Sequence, residues 1–119
     1  MSTQQIASRL VELCTKGQFE AAQKELFADN AVSIEQHSTA DFPKETKGLK
    51  AIIDKGHKWS SGVEQMHSCT VSKPLVAGNA FAITMNMDVT RKGAGRMQMQ
   101  EVCVYEVKDG KIASEQFFM

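Results

Sequence analysis

Two neighbouring stretches decide the fold: residues 80–91, AFAITMNMDVTR, and residues 96–108, RMQMQEVCVYEVK. In both stretches apolar side chains alternate with polar ones, which is typical of strands that bury one face of a sheet. The short segment between them contains Gly93 and Gly95, and glycine-rich segments of this length mark turns. We therefore predict that the two stretches form an antiparallel hairpin.

Two further strands extend this hairpin. Residues 63–72 precede it and residues 111–119 follow it, and both are rich in strand-forming side chains. The dipeptide Asp109-Gly110 lies between two apolar runs, which is a strong signal for a two-residue hairpin turn. Residues 75–79 are predicted to form another turn. The second half of the chain is thus predicted to be a four-stranded antiparallel meander.

The first half of the chain is predicted to be mainly helical. Ser2 and Gln5 have capping-box spacing, and Ile6, Leu10 and Leu13 then recur at helical intervals. The other elements predicted here are a helix over residues 18–28, a strand over 31–36, a loop over 37–45 and a third helix that begins near Leu49. Helices segregated from a curved antiparallel sheet predict a single α+β domain over residues 1–119.

Composition excludes several classes of partner. The chain has 14 basic and 14 acidic side chains, so it lacks the positive charge that nucleic-acid binding requires. No apolar run approaches the roughly 18 residues of a membrane span, and the N-terminus does not resemble a signal peptide. We therefore expect no nucleic-acid partner and no membrane association.

The cysteines and histidines show no pattern typical of a metal site. The cysteines at positions 14, 69 and 103 lack C-x-x-C spacing, so we expect reduced thiols in a cytoplasmic protein. The histidines at positions 37, 57 and 67 do not follow H-x-x-x-H or H-E-x-x-H spacing. The sequence therefore predicts no metal site and no cofactor.

Three segments carry a resemblance to a known family: residues 26–35, LFADNAVSIE; residues 47–52, KGLKAI; and residues 107–112, VKDGKI. They resemble the segments of SnoaL-like proteins and ketosteroid isomerases that open the first strand, begin the third helix and form the last hairpin. The resemblance implies the nuclear transport factor 2-like fold, in which three helices and a curved sheet enclose a cone-shaped cavity. It also implies a homodimer formed through the other face of the sheet.

The same resemblance implies site residues. Glu35 falls on the position of the general-base aspartate of ketosteroid isomerases, whereas Leu10 replaces their oxyanion-stabilising tyrosine. Their protonated aspartate corresponds to Gln100 or Glu101. Because the tyrosine donor is missing, steroid isomerisation itself is not expected. The fold supports many activities, so it does not identify the substrate.

The role of Glu101 depends on the register of the long hairpin. Pairing Met85 with Glu101 gives one apolar face that contains a single carboxylate, whereas a slip by one residue moves Glu101 to the opposite face. We favour the first register, and a two-residue turn at Asp109-Gly110 would then set Glu101 opposite Phe118. So placed, Glu101 either shares a proton with Glu35 across the cavity or is a structural carboxylate.

Glu35 is the first candidate for a general base, because a carboxylate at the mouth of an apolar cavity has its charged form disfavoured. The alternative is a solvated glutamate at a strand end. His37 follows two residues later in an extended chain, so it is expected on the same face as a further catalytic group.

Several large apolar residues are candidates for ligand contact, because flexible thioethers and aromatic rings line adaptable pockets. They are Trp59, Met66, Met85, Met87, Met99 and Phe118. The alternative is that they fill the core or a dimer interface. The sequence thus predicts a protein that binds a small hydrophobic molecule. The alternatives are a proton-transfer enzyme, with Glu35 as base and Glu101 or His37 as its partner, and a structural dimerisation module.

Overall fold

The computed structural model describes all 119 residues and contains three helices and seven strands. Their bounds are α1 Thr3–Thr15, α2 Phe19–Leu26, β1 Phe27–Ile34, β2 Glu45–Lys47, α3 Leu49–Ser61, β3 Val63–Val71, β4 Leu75–Ala77, β5 Ala80–Arg91, β6 Gly95–Lys108 and β7 Lys111–Phe118. The helices pack on one face of a single sheet, which confirms the predicted α+β architecture.

The first helix begins at the predicted cap. Ser2 Oγ accepts a hydrogen bond from the Gln5 amide at 3.1 Å, and the Ser2 amide donates to Gln5 Oε1 at 2.8 Å. This reciprocal pair satisfies two amide groups that the first turn of a helix leaves without partners. Ile6, Leu10 and Leu13 are then buried on one face of α1. No helix of the structure is long and apolar enough to span a membrane.

The sheet has the strand order β2-β1-β7-β6-β5-β3, and β4 pairs with β5 beside it. All neighbours are antiparallel except β1 and β7, which run parallel, so the sheet is mixed rather than wholly antiparallel as predicted. Parallel neighbours require a long connection, and here that connection contains α3 and five strands. The short strand β4 lies where only a turn was predicted.

The long hairpin has the favoured register. Met85 lies directly opposite Glu101, and Met87 lies opposite Met99. Ile83 and Val89 share this face, are almost completely buried and belong to the core beneath the helices. We call this face of the sheet the inner face and the opposite one the outer face.

The last hairpin turns where predicted. Asp109 and Gly110 both have positive φ, at 53° and 76°, as the favoured two-residue hairpin turn requires. Lys108 then pairs with Lys111, and Val107 with Ile112.

The pairing of Glu101 with Phe118 was predicted wrongly. A bulge at Ala113 shifts the register, so Glu106 pairs with Ser114 and Phe118 lies opposite Val102. An extra residue on one strand moves every later side chain to the other face. Phe118 therefore lies on the outer face, where 40% of its surface is exposed. Phe117, opposite Cys103, lies on the inner face instead.

Candidate functional site

A lysine from α3 connects two residues of the first strand. Lys55 Nζ donates to Ser33 Oγ at 2.6 Å and to Glu35 Oε1 at 3.2 Å. The Lys55 side chain is only 14% exposed, and its ammonium lies 5.6 Å from the centroid of the Phe117 ring. Partly buried ammonium groups require hydrogen-bond acceptors, and these two oxygen atoms provide them.

Strand alternation explains how these side chains meet. Ser33 lies opposite Glu115 of β7 and is completely buried, so its side chain faces the helices. Glu35 is two residues further on and follows the last residue of β1, and its amide donates to Lys44 O at 2.7 Å. This bond holds the chain extended beyond the end of the strand, so that Glu35 shares the face of Ser33.

Glu115 is a buried carboxyl group next to these residues. We use the name cluster for Ser33, Glu35, Lys55, Glu101 and Glu115, whose polar groups interact with one another. Glu115 is 4% exposed, and burial raises its pKa from 4.5 to about 7. Ser33 and Lys55 counteract that effect, whereas the negative charges of Glu35 and Glu101 add to it. Loss of solvation disfavours a buried carboxylate, so Glu115 exchanges its proton near neutral pH.

Glu101 is the second carboxyl group with this property. Burial raises its pKa to about 7, and the negative charge of Glu35 adds to the increase. The Cys103 thiol donates to Glu101 Oε1 at 3.7 Å and, with the Lys55 ammonium, partly offsets this effect. Glu101, Glu35 and Lys55 are thus one electrostatically connected group on the inner face.

The structure brings the two predicted carboxyl groups together and adds a third. The Glu35 side chain is 30% exposed and forms an ion pair with Lys55, and burial raises the pKa of both Glu101 and Glu115. Leu10, which the resemblance aligns with the tyrosine of ketosteroid isomerases, is buried, and its side chain carries no donor. Lys55 supplies an N–H donor to this region.

The histidines lie outside the cluster. His37 is exposed and forms no hydrogen bond or ion pair with Glu35 or Glu101. His57 contacts Glu20 at the surface, and His67 Nε2 lies 2.7 Å from Thr90 Oγ1. No three histidine, cysteine, aspartate or glutamate side chains are grouped so that they could hold a metal ion.

The predicted ligand-contact residues divide into three groups. Met85 and Met87 are 6% and 8% exposed and belong to the core. Trp59, Met66 and Met99 are half-buried, and they pack against the core while keeping some exposed surface. Phe118, as described above, lies on the outer face. Met99 lies two positions from Glu101 on the inner face and Phe117 lies beside Lys55, whereas Trp59 and Met66 lie farther along, near Arg91 and Val89.

Sequence reasoning missed Ser33, Lys55 and Glu115. One signal was available for Lys55: Ile52, Lys55 and Trp59 recur at helical spacing, which places a lysine within an apolar stripe. No comparable signal existed for Glu115, because the bulge at Ala113 determines which face it occupies.

Two surface depressions lie away from the cluster. One, of about 350 Å³, is lined by six residues of β1, β6, β7 and the last turn, among them Asn30 and Asp109. The other, of about 150 Å³, is lined mainly by outer-face residues such as Asn86 and Gln98. Neither includes Glu35 or Glu101, both of which are partly exposed on the inner face.

Known structures share this fold over the full length. A protein from Mesorhizobium loti, which bears the provisional names SnoaL-like polyketide cyclase and carbohydrate phosphatase, is 32% identical with a TM-score of 0.93, and all of both chains is covered. A Xanthomonas campestris protein with a cystatin-like fold is 16% identical with a TM-score of 0.81, covering 99% of this chain and 90% of that one.

A third structure, from Catenulispora acidiphila, has a ketosteroid isomerase-like fold and was solved in complex with trimethylamine. It is 17% identical with a TM-score of 0.74, covering 96% of this chain and 84% of that one. A sequence search of curated proteins returned no significant match. The sequence model of the SnoaL-like domain matches residues 1–119. The full-length match and the relative from Mesorhizobium loti lead to the same conclusion: this chain belongs to the SnoaL-like family.

Proposed function

We propose that this protein catalyses proton transfer on a small apolar carbonyl compound bound at the inner face of the sheet. The observation that carries the proposal is Glu101, a carboxyl group with a pKa of about 7 beside Glu35 and Lys55. A group that exchanges its proton near the working pH is suited to general acid–base catalysis.

The three side chains have complementary roles in the proposed reaction. Glu35 removes a proton from the carbon next to the carbonyl group, and the electron pair moves to the carbonyl oxygen. Protonated Glu101 is the general acid that gives its proton to that oxygen as negative charge develops on it, while the Lys55 ammonium donates a hydrogen bond to it. Return of the proton from Glu35 to a different carbon, with return of the oxygen proton to Glu101, yields an isomer; attack of the enol carbon on a second carbonyl carbon, whose oxygen takes the proton from Glu35 while Glu101 recovers its own, yields a ring.

Two observations support an apolar carbonyl compound as substrate. Met99 and Phe117 lie beside the cluster with half-buried apolar surface, and Trp59 and Met66 add more such surface farther along. The relative from Mesorhizobium loti is provisionally named a polyketide cyclase, and polyketide chains carry the repeated carbonyl groups that enolate chemistry needs.

Deuterium exchange tests the proposal without knowledge of the natural substrate. Incubation of 2-nonanone and of a β,γ-unsaturated cyclic ketone with the protein in D₂O is expected to replace α-hydrogens faster than buffer does, as read by NMR. Glu35→Gln and Glu101→Gln are each expected to reduce the enzyme-dependent rate by about 10²-fold or more.

A matched control lies on the same strand as Glu101. Glu106 is exposed and points to the outer face, so Glu106→Gln is expected to leave exchange unchanged. Full exchange activity in Glu101→Gln, or equal losses in Glu101→Gln and Glu106→Gln, would contradict the proposed role of Glu101.

A second candidate function is binding without turnover. It is favoured by Leu10, which the resemblance aligns with the oxyanion-stabilising tyrosine of ketosteroid isomerases and which is 2% exposed. Saturable binding of apolar ketones by a protein that never accelerates their exchange would support this reading over the enzyme.

A homodimer is also proposed. Val102 and Phe118 lie opposite each other on the outer face and are 41% and 40% exposed, while Leu75 on the edge strand β4 is 79% exposed. Such apolar surface is typical of association sites, and the SnoaL-like resemblance implies a dimer through this face. Native mass spectrometry that finds only monomers would contradict the homodimer.

A cytoplasmic location is also proposed. The three cysteines are free thiols, which supports a reducing environment such as the cytoplasm.

A further inference from the structure

A row of buried polar side chains crosses three neighbouring strands of the sheet. Thr46 of β2 lies opposite Ser33 of β1, and Ser33 lies opposite Glu115 of β7. Their exposed fractions are 9%, 0% and 4%, so all three side chains are covered by the rest of the fold. Glu115 is therefore too deeply buried to contact a substrate directly, and any role in the reaction must act through its neighbours.

Ser33 connects Glu115 to Lys55. The Ser33 hydroxyl accepts a hydrogen bond from Lys55 Nζ at 2.6 Å, and it keeps one proton of its own to donate. Thr46 Oγ1 has no hydrogen-bond partner, so it does not receive that proton. Burial raises the pKa of Glu115, and the hydrogen bond of Ser33 is the largest of the effects that lower it. The Ser33 hydroxyl therefore donates its proton to the Glu115 carboxylate.

The same ammonium group also contacts Glu35. The distance between Lys55 Nζ and Glu35 Oε1 is 3.2 Å, and the Glu35 side chain is 30% exposed. These contacts connect a buried carboxyl group, through one hydroxyl and one ammonium group, to a carboxylate that a substrate can reach. A change of charge at the buried end therefore alters how the ammonium charge is shared with the accessible end.

Few of the groups around Glu115 change their charge near neutral pH. The titratable groups that face it come from α1, α3, β6 and the end of β1, and they are Cys14, Lys55, Glu101, Cys103, Tyr105 and Glu35. Burial raises the pKa of both cysteines and of the tyrosine, so these three groups stay neutral. The charges that act on Glu115 are therefore those of the other members of the cluster.

We propose that Glu115 is a positioning residue for Glu35, because it determines through Lys55 how strongly the Glu35 carboxylate is neutralised. Ionised Glu115 accepts from Ser33 and draws the ammonium charge away from Glu35, which makes Glu35 a stronger base. Protonated Glu115 leaves that charge to Glu35, which makes Glu35 a weaker base. This inference rests on the proposed function, because it concerns the base of the same site.

The deuterium-exchange rate of Glu115→Gln tests this role at two pH values. At pH 8 the wild-type carboxyl group is ionised, and the wild-type rate is expected to exceed that of the variant by about fivefold. At pH 5.5 the wild-type carboxyl group is protonated and as neutral as glutamine, so the two rates are expected to be similar. A purely structural role of Glu115 would change the rate by the same factor at both pH values.

Thr46→Val is the matched control, because it removes the hydroxyl on the other side of Ser33 in the same buried row. Thr46 Oγ1 has no partner in the chain of contacts, so this variant is expected to show the wild-type rate at both pH values.

Carbon-13 NMR of the Glu115 carboxyl group tests the same contacts without a substrate. Its midpoint of about 7 is expected to fall in Glu35→Gln, because a negative charge that raises it is removed. It is expected to rise in Ser33→Ala, because the hydrogen bond that lowers it is lost. Thr46→Val is expected to leave the midpoint unchanged.

Two results would overturn the role of Glu115: the same rate ratio at pH 5.5 and pH 8, or a Glu115 midpoint that responds to neither Ser33→Ala nor Glu35→Gln. The proposed function would still stand if the wild-type protein accelerates exchange. A midpoint that responds as expected in a protein that never accelerates exchange would support the coupling of Glu115 to Glu35 and contradict the proposed function.

Discussion

Lys55 and Glu35 form an ion pair on the inner face of the sheet, with 3.2 Å between Nζ and Oε1, although 20 positions separate them in the chain. The pair joins α3 to the end of β1. Lys55 also donates to the buried Ser33 hydroxyl, so a single ammonium group satisfies two strand residues. The stability of the fold and the chemistry of the cluster therefore depend on the same side chain.

Replacement of Lys55 is expected to destabilise the protein. Lys55→Met removes the donor to Ser33 and Glu35 and leaves the serine oxygen buried, which is expected to reduce the free energy of unfolding by about 1–3 kcal/mol. Urea denaturation measures this change. Lys50→Met is the control, because Lys50 is 91% exposed and its ion pair with Asp54 should contribute less than about 0.5 kcal/mol. Equal effects of the two variants would contradict the structural role of Lys55.

Glu115 is expected to make the protein less stable as pH rises. Its pKa in the folded protein is about 7, above the ordinary value of 4.5, so the folded state binds more protons than the unfolded state between these values. The free energy of unfolding therefore falls from about pH 4.5 to about pH 7 and does not change further for this group above that range.

Glu115→Gln removes this dependence. At pH 8 the variant is expected to exceed the wild-type protein in free energy of unfolding by up to about 3 kcal/mol, and at pH 4 the two should be similar. Urea denaturation at the two pH values provides the comparison. A variant that is less stable than wild type at pH 8 would show that the Glu115 carboxylate is well solvated or paired.

Local sequence patterns were sufficient for much of the fold. The alternation in β5 and β6 predicts both the strands and their register, because only the pairing of Met85 with Glu101 gives a consistently apolar face. The capping box at Ser2 and Gln5 likewise depends on neighbouring residues alone.

Long-range packing decides what the sequence did not predict. The bulge at Ala113 carries no turn residue or charge, yet it exchanges the faces of Phe117 and Phe118. The parallel pairing of β1 with β7 follows from how the whole sheet closes, and no local motif encodes it. Lys55 reaches Glu35 only after α3 has packed across β1. The sequence therefore predicted Glu35 and Glu101 as site residues. It did not predict Ser33, Lys55 or Glu115, because long-range packing brings these three side chains to the site.

The two C-terminal phenylalanines are expected to respond differently to substitution. Phe118→Ser should weaken self-association and leave the folded subunit intact, because Phe118 lies on the outer face. Phe117→Ser should lower the free energy of unfolding by about 1–3 kcal/mol, because Phe117 packs against the core and beneath Lys55. Sedimentation velocity and urea denaturation separate the two effects. A loss of stability in Phe118→Ser together with a loss of self-association in Phe117→Ser would contradict the register shift at Ala113.

The three thiols are expected to react in a fixed order. Burial raises the pKa of Cys14 to about 12, and it also raises the pKa of Cys103. Burial raises the pKa of Cys69 as well, but Cys69 is only half-buried, whereas Cys14 and Cys103 are buried and less accessible to a reagent. Because the thiolate is the reactive form, iodoacetamide at pH 8 should modify Cys69 first, as peptide mass spectrometry can show. Earlier modification of Cys103 would mean that the inner face opens in solution.

The ionisation of Glu101 is the most direct test of the proposed acid–base site. Carbon-13 NMR of side-chain carboxyl groups, followed from pH 3 to pH 9 and assigned with Glu101→Gln, gives its midpoint. The structure predicts a midpoint of about 7. We expect it to fall in Glu35→Gln, because the negative charge that raises it is then removed. A midpoint near 4.5 that does not respond to Glu35→Gln would contradict a shared proton-transfer site.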